Sequence, residues 1–538
     1  MRLIVFHYHL LPGGVTDVII ESLKALTAFR NDIHHVRLVC GREENAEHVV
    51  AQLEEIGPPV DVDVISELDY SPRDESASVA LEREKRIRQY LIDHYCDDTD
   101  FWWVHNYHVG KNPSFTLALC TIAGRPDSPP MLLHVHDFPE AGRYENLAYL
   151  ERIAGRSPYP IGQHIHFAVI NEADRRALAA TEIPEEAVHL IVDPLPEAVP
   201  PEERPSRDRL MTGLAAYATD NGYRFNTDGP ILLYPVRTIR RKNILEAAML
   251  THFVEEANLV VTLPGVSNAE RPYSELVEYV YANALVDGVW RIGRQEHRYG
   301  LSFSDLTTGS DLIISSAVQE GFGLLFVNAM RWRIPLFARH LPVLEGISDV
   351  FDGYPASFYD EFLVPLSAPS VRSMTAYLRM RYAERLDALE SVIPDRARAS
   401  LSEQIETMLD HDTVDYSYLP PQMQLTLLGD LQDEGFSREV AALNAPILRA
   451  LTQTLAGTPT DRSEAISATF GYQAFAERFQ QVVQSTMTYA KPAFVADKAQ
   501  DRPSTEPSGR YADVQEALID EFADLRNLRL LLAPFSKG

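Results

Sequence analysis

Two short segments of this 538-residue chain collect the groups that can hold an anion. In Asp311-Leu-Ile-Ile-Ser-Ser-Ala-Val-Gln-Glu320-Gly321-Phe322-Gly323-Leu324-Leu-Phe-Val-Asn328-Ala-Met330 an apolar strand runs into a loop with two glycines, and a helix starts directly after Gly323. Glycines let backbone approach a ligand closely, and the free N–H groups of a helix start favour a phosphate. Glu320, at the entry to that loop, is placed to accept hydrogen bonds from sugar hydroxyls. Taken alone, the segment reads rather as an ordinary strand-to-helix turn with a solvated glutamate. The second segment, Tyr234-Pro-Val-Arg237-Thr-Ile-Arg240-Arg241-Lys242-Asn243, puts four cations at the end of another strand. Lysine is scarce, seven in all and none between Lys242 and Lys491, so arginine is the default cation and a loop lysine reads as a chosen point charge. Arg237 and Lys242 are therefore read as functional, and Arg240 and Arg241 as a solvated basic turn.

The N-terminal third is rich in imidazole: 13 of the 17 histidines precede residue 190. The pairs His7/His9, His134/His136 and His164/His166 have the two-residue spacing that shares one face of a strand, and each can begin a metal site. No carboxylate-rich or cysteine ligand set accompanies them, so the reading is a polar acceptor site lined by imidazoles, with no metal. His105-Asn106-Tyr107-His108-Val-Gly110-Lys111-Asn112-Pro113 follows a strand and suits an anionic or polyhydroxylated acceptor held through Lys111; a capped turn closed by Asn112-Pro113 is the even alternative. The acceptor-side candidates are His105, His108, Lys111, Glu140 and Arg143. Trp102 and Trp103 are read as core.

Together these segments resemble the donor-binding half of GT-B glycosyltransferases, above all glycosyltransferase family 4. In that family an arginine and a lysine five positions on contact the donor diphosphate, which the resemblance assigns to Arg237 and Lys242. Ser315 to Gly323 match the start of its Glu-x7-Glu signature, so Glu320 is expected on the donor sugar, with Gly321, Phe322, Gly323 and Leu324 on the donor. The second glutamate, which holds the nucleotide ribose, is here Asn328; asparagine still hydrogen-bonds a hydroxyl but lacks the charge and the two-oxygen acceptor geometry. Pro12-Gly13-Gly14-Val15 resembles the N-terminal glycine loop over the donor phosphates. Leu133-His134-Val135-His136-Asp137-Phe138 resembles the strand-end histidine beside the reacting sugar, a role carried to His136. Val169-Ile170-Asn171-Glu172-Ala173-Asp174 and Ile191-Val192-Asp193-Pro194 resemble the last strand of the first domain and the crossing to the second. The resemblance implies a retaining hexosyltransferase using a nucleotide-diphosphate sugar as donor substrate, with no cofactor and no metal, its active site in a cleft between two Rossmann-like domains. The catalytic set is His136, Arg237, Lys242 and Glu320. Asn328 keeps two rivals in play: a sugar phosphorylase of the same fold, and a non-catalytic sugar- or partner-binding subunit.

The elements that must position these residues alternate as strand and helix. Arg2–His7, Val36–Cys40, Phe101–His105, Met131–His136 and His166–Ile170 read as buried strands, and Val15–Phe29 as the helix after the first. Proline-rich 196–229 reads as a linker or excursion. Ile231–Pro235, Leu259–Leu263, Trp290–Ile292 and Asp311–Ser315 restart the strands, with helices near Ile244–Phe253, Tyr273–Ala284 and Leu324–Arg333. The expected fold class is α/β, GT-B: a first Rossmann-like doubly wound domain over 1–195, a donor-binding one over 230–410, and a helical extension over 411–538. That extension is expected to hold a flexible loop near 491–510 and a terminal helix Val514–Leu532. It either packs back on the first domain or forms a homodimer contact.

Composition narrows the partners. Asp plus Glu is 77 against 49 Lys plus Arg, a net charge of −28, which repels nucleic-acid backbones and anionic lipid. Three cysteines make no disulfide framework or Cys-x-x-Cys pair. No stretch reaches the roughly 20 apolar residues of a membrane span and no secretory leader is legible, so a cytoplasmic location is expected. No Walker loop, Gly-x-Gly-x-x-Gly, Gly-x-Ser-x-Gly or His-Glu-x-x-His is present, which counts against kinases, NAD enzymes, serine hydrolases and zinc proteases. The expected ligands are a nucleotide sugar and a small-molecule or glycan acceptor, soluble rather than membrane-bound.

Overall fold

The computed structural model describes residues 1–54, 57–196, 206–368, 374–488 and 510–530. The chain forms two compact units, each around a parallel sheet. The first comprises Met1–Glu197, Leu389–Ala397 and Glu464–Ala523; the second comprises Ala198–Ala388, Arg398–Ser463 and Asp524–Gly538.

In the first unit β1 (Arg2–Phe6), β2 (His35–Cys40), β3 (Val60–Val64), β4 (Asp100–His105), β5 (Met131–Val135), β6 (Ile165–Val169) and β7 (Val188–Leu190) lie in the order β3-β2-β1-β4-β5-β6-β7, all parallel. Both faces are covered, which is why β1 and β4 are continuous apolar runs rather than alternating ones. The two-residue side-chain period sorts them: Ile4, Phe6, Trp102 and Val104 enter one core, Leu3, Val5, Phe101 and Trp103 the other. Trp102 and Trp103 are thus core residues of opposite faces. Each indole N–H is satisfied, Trp102 on the Tyr95 carbonyl at 2.6 Å and Trp103 on His134 Nδ1 at 3.2 Å. Phe475 and Phe479 of the helix Tyr472–Thr488 join the Trp103 core, and Val514 and Leu518 of the helix Arg510–Glu521 join the other.

In the second unit β8 (Ile231–Arg237), β9 (Asn258–Leu263), β10 (Gly288–Trp290), β11 (Leu312–Ser315), β12 (Leu336–Arg339) and β13 (Ala356–Tyr359) repeat the scheme in the order β10-β9-β8-β11-β12-β13. In each sheet the strand order reverses once, between β1 and β4 and between β8 and β11. Loops leaving the carboxyl ends of those strand pairs border the crevice where doubly wound sheets take ligands. A short antiparallel pair, β14 (Leu363–Pro365) with β15 (Thr413–Asp415), completes the strands of the described residues.

Several expectations are corrected. The stretch 196–229 holds a helix, Arg207–Asn221, capped by Ser206 and ended by left-handed Gly222 (φ 71°); residues 197–205 lie outside those described. The segment 411–538 is shared: residues to 463 belong with the second unit, and Glu464–Ala523 with the first. The terminal helix is two helices, Arg510–Glu521 and Leu525–Leu528, because the Asp524 carboxylate accepts from the Arg526 N–H at 2.7 Å and starts a new one. Leu532 and nearly all of the expected loop at 491–510 fall outside the described residues. Strands β3, β7, β12, β13, β14 and β15 were not legible; in β3 acidic residues alternate with valine, and Asp61 and Asp63 pair with His35 and Arg37 of β2 at 2.8 Å each.

Candidate active site

The two anion-directed segments meet at the reversal of the second sheet. Pro235 has no N–H to give a central strand, and β8 absorbs it at a register irregularity between Tyr234 and Arg237. The chain then makes a short turn over Arg240–Lys242 and enters the helix Ile244–His252 through Asn243, a left-handed residue (φ 49°). The loop after β11 is tied to this turn by backbone and hydroxyl groups. The Val318 N–H donates to the Arg241 carbonyl at 2.8 Å, Ser316 Oγ to the Asn243 carbonyl at 2.9 Å, and the Tyr234 hydroxyl to the Lys242 carbonyl at 2.8 Å. The side chains then converge: Lys242 Nζ pairs with Glu320 Oε1, and Arg241 reaches Glu320 Oε2 at 3.3 Å and the Gln319 carbonyl at 3.1 Å. Lys242 and Glu320 keep only 12% and 10% of their side chains exposed. Burial pushes the Lys242 ammonium below its ordinary range, and the Glu320 carboxylate opposes that. Gly323 is left-handed (φ 79°) and opens the helix Leu324–Trp332; a Cβ there would press on the Phe326 ring, so glycine is favoured.

The remaining residues of this set divide. Arg237 stands at the end of β8, half exposed, 3.5 Å from Glu270. Leu324 is exposed in the first turn of its helix, and Asn328, one turn on, accepts from Arg331 Nη1 at 3.1 Å. Arg240 is not solvated, as the sequence suggested. It is buried and donates to Asn243 Oδ1 at 3.0 Å and to the Ser417 carbonyl at 2.9 Å, so it is a structural cation. Behind it lies a buried ionic chain that the sequence did not reveal. Asn243 Nδ2 donates to Glu246 at 2.8 Å, Glu246 takes Arg339 at 2.6 Å, and Arg339 takes Asp415 at 2.9 Å. Tyr359 adds its hydroxyl to Glu246 at 2.8 Å, and Arg529 reaches Asp415 at 3.2 Å. The residue next to Lys242 is thus clamped to strands β12 and β15.

In the first unit β4 and β5 deliver a stack of imidazoles. His105 Nδ1 lies 2.9 Å from His136 Nε2, and the His134 and His136 rings stack at 4.2 Å. The His136 N–H donates to the side chain of left-handed Asn106 at 2.8 Å, and its Nδ1 faces Asp193 at 3.9 Å. Burial holds His134 down at about 3 and pushes His105 and His136 well below their usual range, so these rings are neutral at pH 7. Burial also raises Asp193 to about 8. The nitrogens of His105, His134 and His136 are close enough to be considered for a cation. The arrangement suits one poorly. Trp103 N–H already occupies the Nδ1 lone pair of His134, which leaves its proton on Nε2.

The acceptor candidates separate into two groups. His105, His108 and Glu140 are fully buried, so they do not meet a solute directly in this conformation. His108 Nε2 lies 3.0 Å from the Asp137 carbonyl, and Glu140 accepts from the Tyr159 hydroxyl at 2.9 Å while burial lifts its carboxyl to about 7. Lys111 and Arg143 remain accessible. Lys111 lies 5.2 Å from the Tyr70 ring, and Arg143 pairs with Asp137 at 2.8 Å. Gly13 and Gly14 begin the helix Gly14–Phe29 after β1; a Cβ on either would meet nothing closer than 3.9 Å, so packing does not require them, and they leave open space. Tyr70 and Arg73 were not singled out from sequence, since neither spacing nor type marks them, and Asp193 was noted only as part of the crossing segment.

No family model matches the chain. Over its length it is similar to a mannosylglucosyl-3-phosphoglycerate synthase of Petrotoga mobilis, 28% identical over 546 residues spanning 99% of each chain. Two doubly wound sheets of one strand order, the second carrying the Lys242–Glu320 loops at its reversal, complete the picture. The chain has the two Rossmann-like parallel sheets expected of a GT-B fold. Among solved structures, this GT-B chain is similar to sucrose-phosphate synthase from Thermosynechococcus elongatus (TM-score 0.48, 14% identity, 90% of this chain and 99% of that one). It is also similar to TarM, with TM-score 0.41 and 9% identity over 85% and 99% of the two chains. No helix among the described residues is long and apolar enough to cross a membrane.

Proposed function

We propose that this GT-B chain is a retaining glycosyltransferase, akin to family 4, that moves a hexose from a nucleotide-diphosphate sugar to a small soluble acceptor without a metal. The observation that carries the reading is the Lys242–Glu320 pair, nearly buried beside a helix start at the reversal of the second sheet. The barrier in such a transfer lies in breaking the glycosidic bond while negative charge grows on the departing diphosphate. Lys242 already sits desolvated against a carboxylate, and a diphosphate would exchange that partner for one whose charge rises along the reaction. Arg237 and the N–H groups after Gly323 would share the load, the neutralising work a cation would otherwise do. Glu320, freed from Lys242, would accept from sugar hydroxyls. His136, neutral by burial, would serve as a hydrogen-bonding group to the sugar and not as an acid. In this reading the departing phosphate takes the acceptor's proton, so a retaining reaction needs no separate base.

The Petrotoga relative's name describes a product with two hexoses on a phosphoglycerate. Carried to this chain, that makes mannosyl the transferred hexose and a phosphorylated glycoside the acceptor. Asn328, in the position of a ribose-binding glutamate, favours a second reading, a phosphorylase that uses a sugar phosphate. Thermal unfolding with UDP, GDP, ADP, inorganic phosphate and sugar phosphates, all in chelator, separates the two. A rise with one nucleoside diphosphate supports the transferase; a response to phosphate or sugar phosphates alone supports the phosphorylase. Protection by a nucleotide with neither transfer nor donor hydrolysis would leave a binding subunit.

A further inference from the structure

Around Tyr70 the first unit gathers Lys111, Arg73, Arg143 and Arg42, the last paired with Asp69 at 2.6 Å, in a chain whose net charge is −28. Lys111, one of only seven lysines, is half-buried with its ammonium over the Tyr70 ring. Among the described residues that ammonium has neither a carboxylate nor a hydrogen-bond acceptor. Arg73 donates to the Asn146 side chain and to the Glu145 carbonyl at 3.2 Å, and it too has no carboxylate partner among them. Arg143 is shared with Asp137. Burial, with Arg73 and Arg143 nearby, pushes the Lys111 ammonium below its ordinary range. Gathering like charges costs free energy that a bound anion would return.

The stem of Lys111 is fixed as a merely solvated lysine has no need to be. Its carbonyl accepts from the Ser71 N–H at 3.0 Å. Gly110 before it is left-handed (φ 68°), where a Cβ would collide with the Asn146 carbonyl. Asn112 after it caps the helix Pro113–Ala123 and donates to the Glu67 and Asp69 carbonyls at 2.7 Å each. His9 also packs on Tyr70, at 5.0 Å between ring centroids, and its Nδ1 is buried with no partner among the described residues. His9 belongs to the loop after β1 and Lys111 to the loop after β4, the two loops that border the reversal of the first sheet.

We propose that Lys111, Arg73 and Arg143, with Tyr70 and His9, form an anion subsite that grips a phosphate or carboxylate of the acceptor. This rests on the reading that the first unit takes the acceptor, and adds which residues would hold the acceptor's anionic end.

The test is titration calorimetry on the full chain and its Lys111→Ala variant with 3-phosphoglycerate, inorganic phosphate, glucose and GDP in parallel. The wild type should bind 3-phosphoglycerate, more weakly as salt rises, and should ignore glucose. Lys111→Ala should weaken 3-phosphoglycerate about tenfold or more, the loss of a charged hydrogen bond, and leave GDP unchanged. Arg73→Gln should act in the same direction, and equal unfolding temperatures without ligand show that the variants are folded. Inorganic phosphate binding as well as 3-phosphoglycerate, with the same loss in Lys111→Ala, would still assign an anion subsite and narrow it to the phosphoryl group. Equal affinity for 3-phosphoglycerate in wild type and variants, or its absence in the wild type at millimolar concentration, overturns the proposal. A loss of GDP binding in Lys111→Ala also overturns it, by moving the cluster to the donor. Failure of every nucleoside diphosphate to bind the wild type would instead refute the donor-site reading, while the 3-phosphoglycerate comparison still decides the subsite.

Discussion

Glu140 offers a quantitative check on the interior of the first unit. It is fully buried, one oxygen accepts from Tyr159, and the other has no partner among the described residues. Moving its carboxyl from an ordinary 4.5 to about 7 favours the neutral form in the folded chain. The folded value is raised, so the folded state loses stability as pH climbs from 4.5 through 7: ionisation proceeds freely in the unfolded chain and is opposed in the folded one. The full effect is about 3 kcal/mol, at about 1.4 kcal/mol per pH unit, and about 2 kcal/mol of it falls between pH 5.5 and 8.5. Glu140→Gln keeps a carbonyl for Tyr159 and puts an amide N–H where the protonated acid had its O–H, so the two differ chiefly in charge. Urea unfolding followed by tryptophan fluorescence should show the variant more stable than the wild type at pH 8.5. The gap should close by about 2 kcal/mol at pH 5.5, a change in midpoint difference of about 0.5 M at the steep urea dependence of a chain this size. A gap that stays constant over that range, or widens toward acid, would refute the reasoning that Glu140 is an unpaired buried acid.

Other consequences can be measured directly. Lys242→Ala should lower turnover by about 10²–10³, the usual cost of losing one preorganised charge contact; unchanged transfer kinetics would remove Lys242 from the donor site. Asn328→Glu should tighten nucleoside diphosphate binding about tenfold if the position faces ribose, and unaltered affinity in calorimetry would take it away from the nucleotide. Arg339→Met strips the shared partner from Glu246 and Asp415 and should cost about 3–5 kcal/mol in urea unfolding, as breaking a buried pair does. Adding Glu246→Gln should recover part of that loss. No recovery would mean that the two act independently.

What the sequence disclosed, and what it hid, follows from how far each signal reaches along the chain. Strand ends next to glycine loops were legible because their pattern is local: β1, β4, β5, β8 and β11 fall within a residue or two of the expected positions. The Arg237, Lys242 and Glu320 segments carried enough local detail to point to one crevice, and the structure brings Lys242 and Glu320 into contact. Arg240 misled because, Asn243 apart, its acceptors, the Ser417 carbonyl and its neighbours, arrive more than 170 residues later. The helix Arg207–Asn221 was hidden by prolines that precede it rather than interrupt it. Burial was the other blind spot. Nothing in Glu140, His105 or His108 distinguishes a side chain facing a ligand from one sealed behind Tyr159 or a neighbouring imidazole.

The way the C-terminal segment is divided bears on how the protein is made. All seven strands of the first sheet have been synthesised by Leu190, yet Phe475, Phe479, Val514 and Leu518, which close its two faces, emerge about 285 residues later and beyond. At about 5–20 residues per second that is about 15–60 s during which a sheet with apolar faces waits for its cover on the ribosome. The second unit draws on Asp524–Gly538 as well, so neither half is finished before the other is nearly complete. A nascent chain of this design needs chaperone shelter on the ribosome more than one whose halves mature in turn.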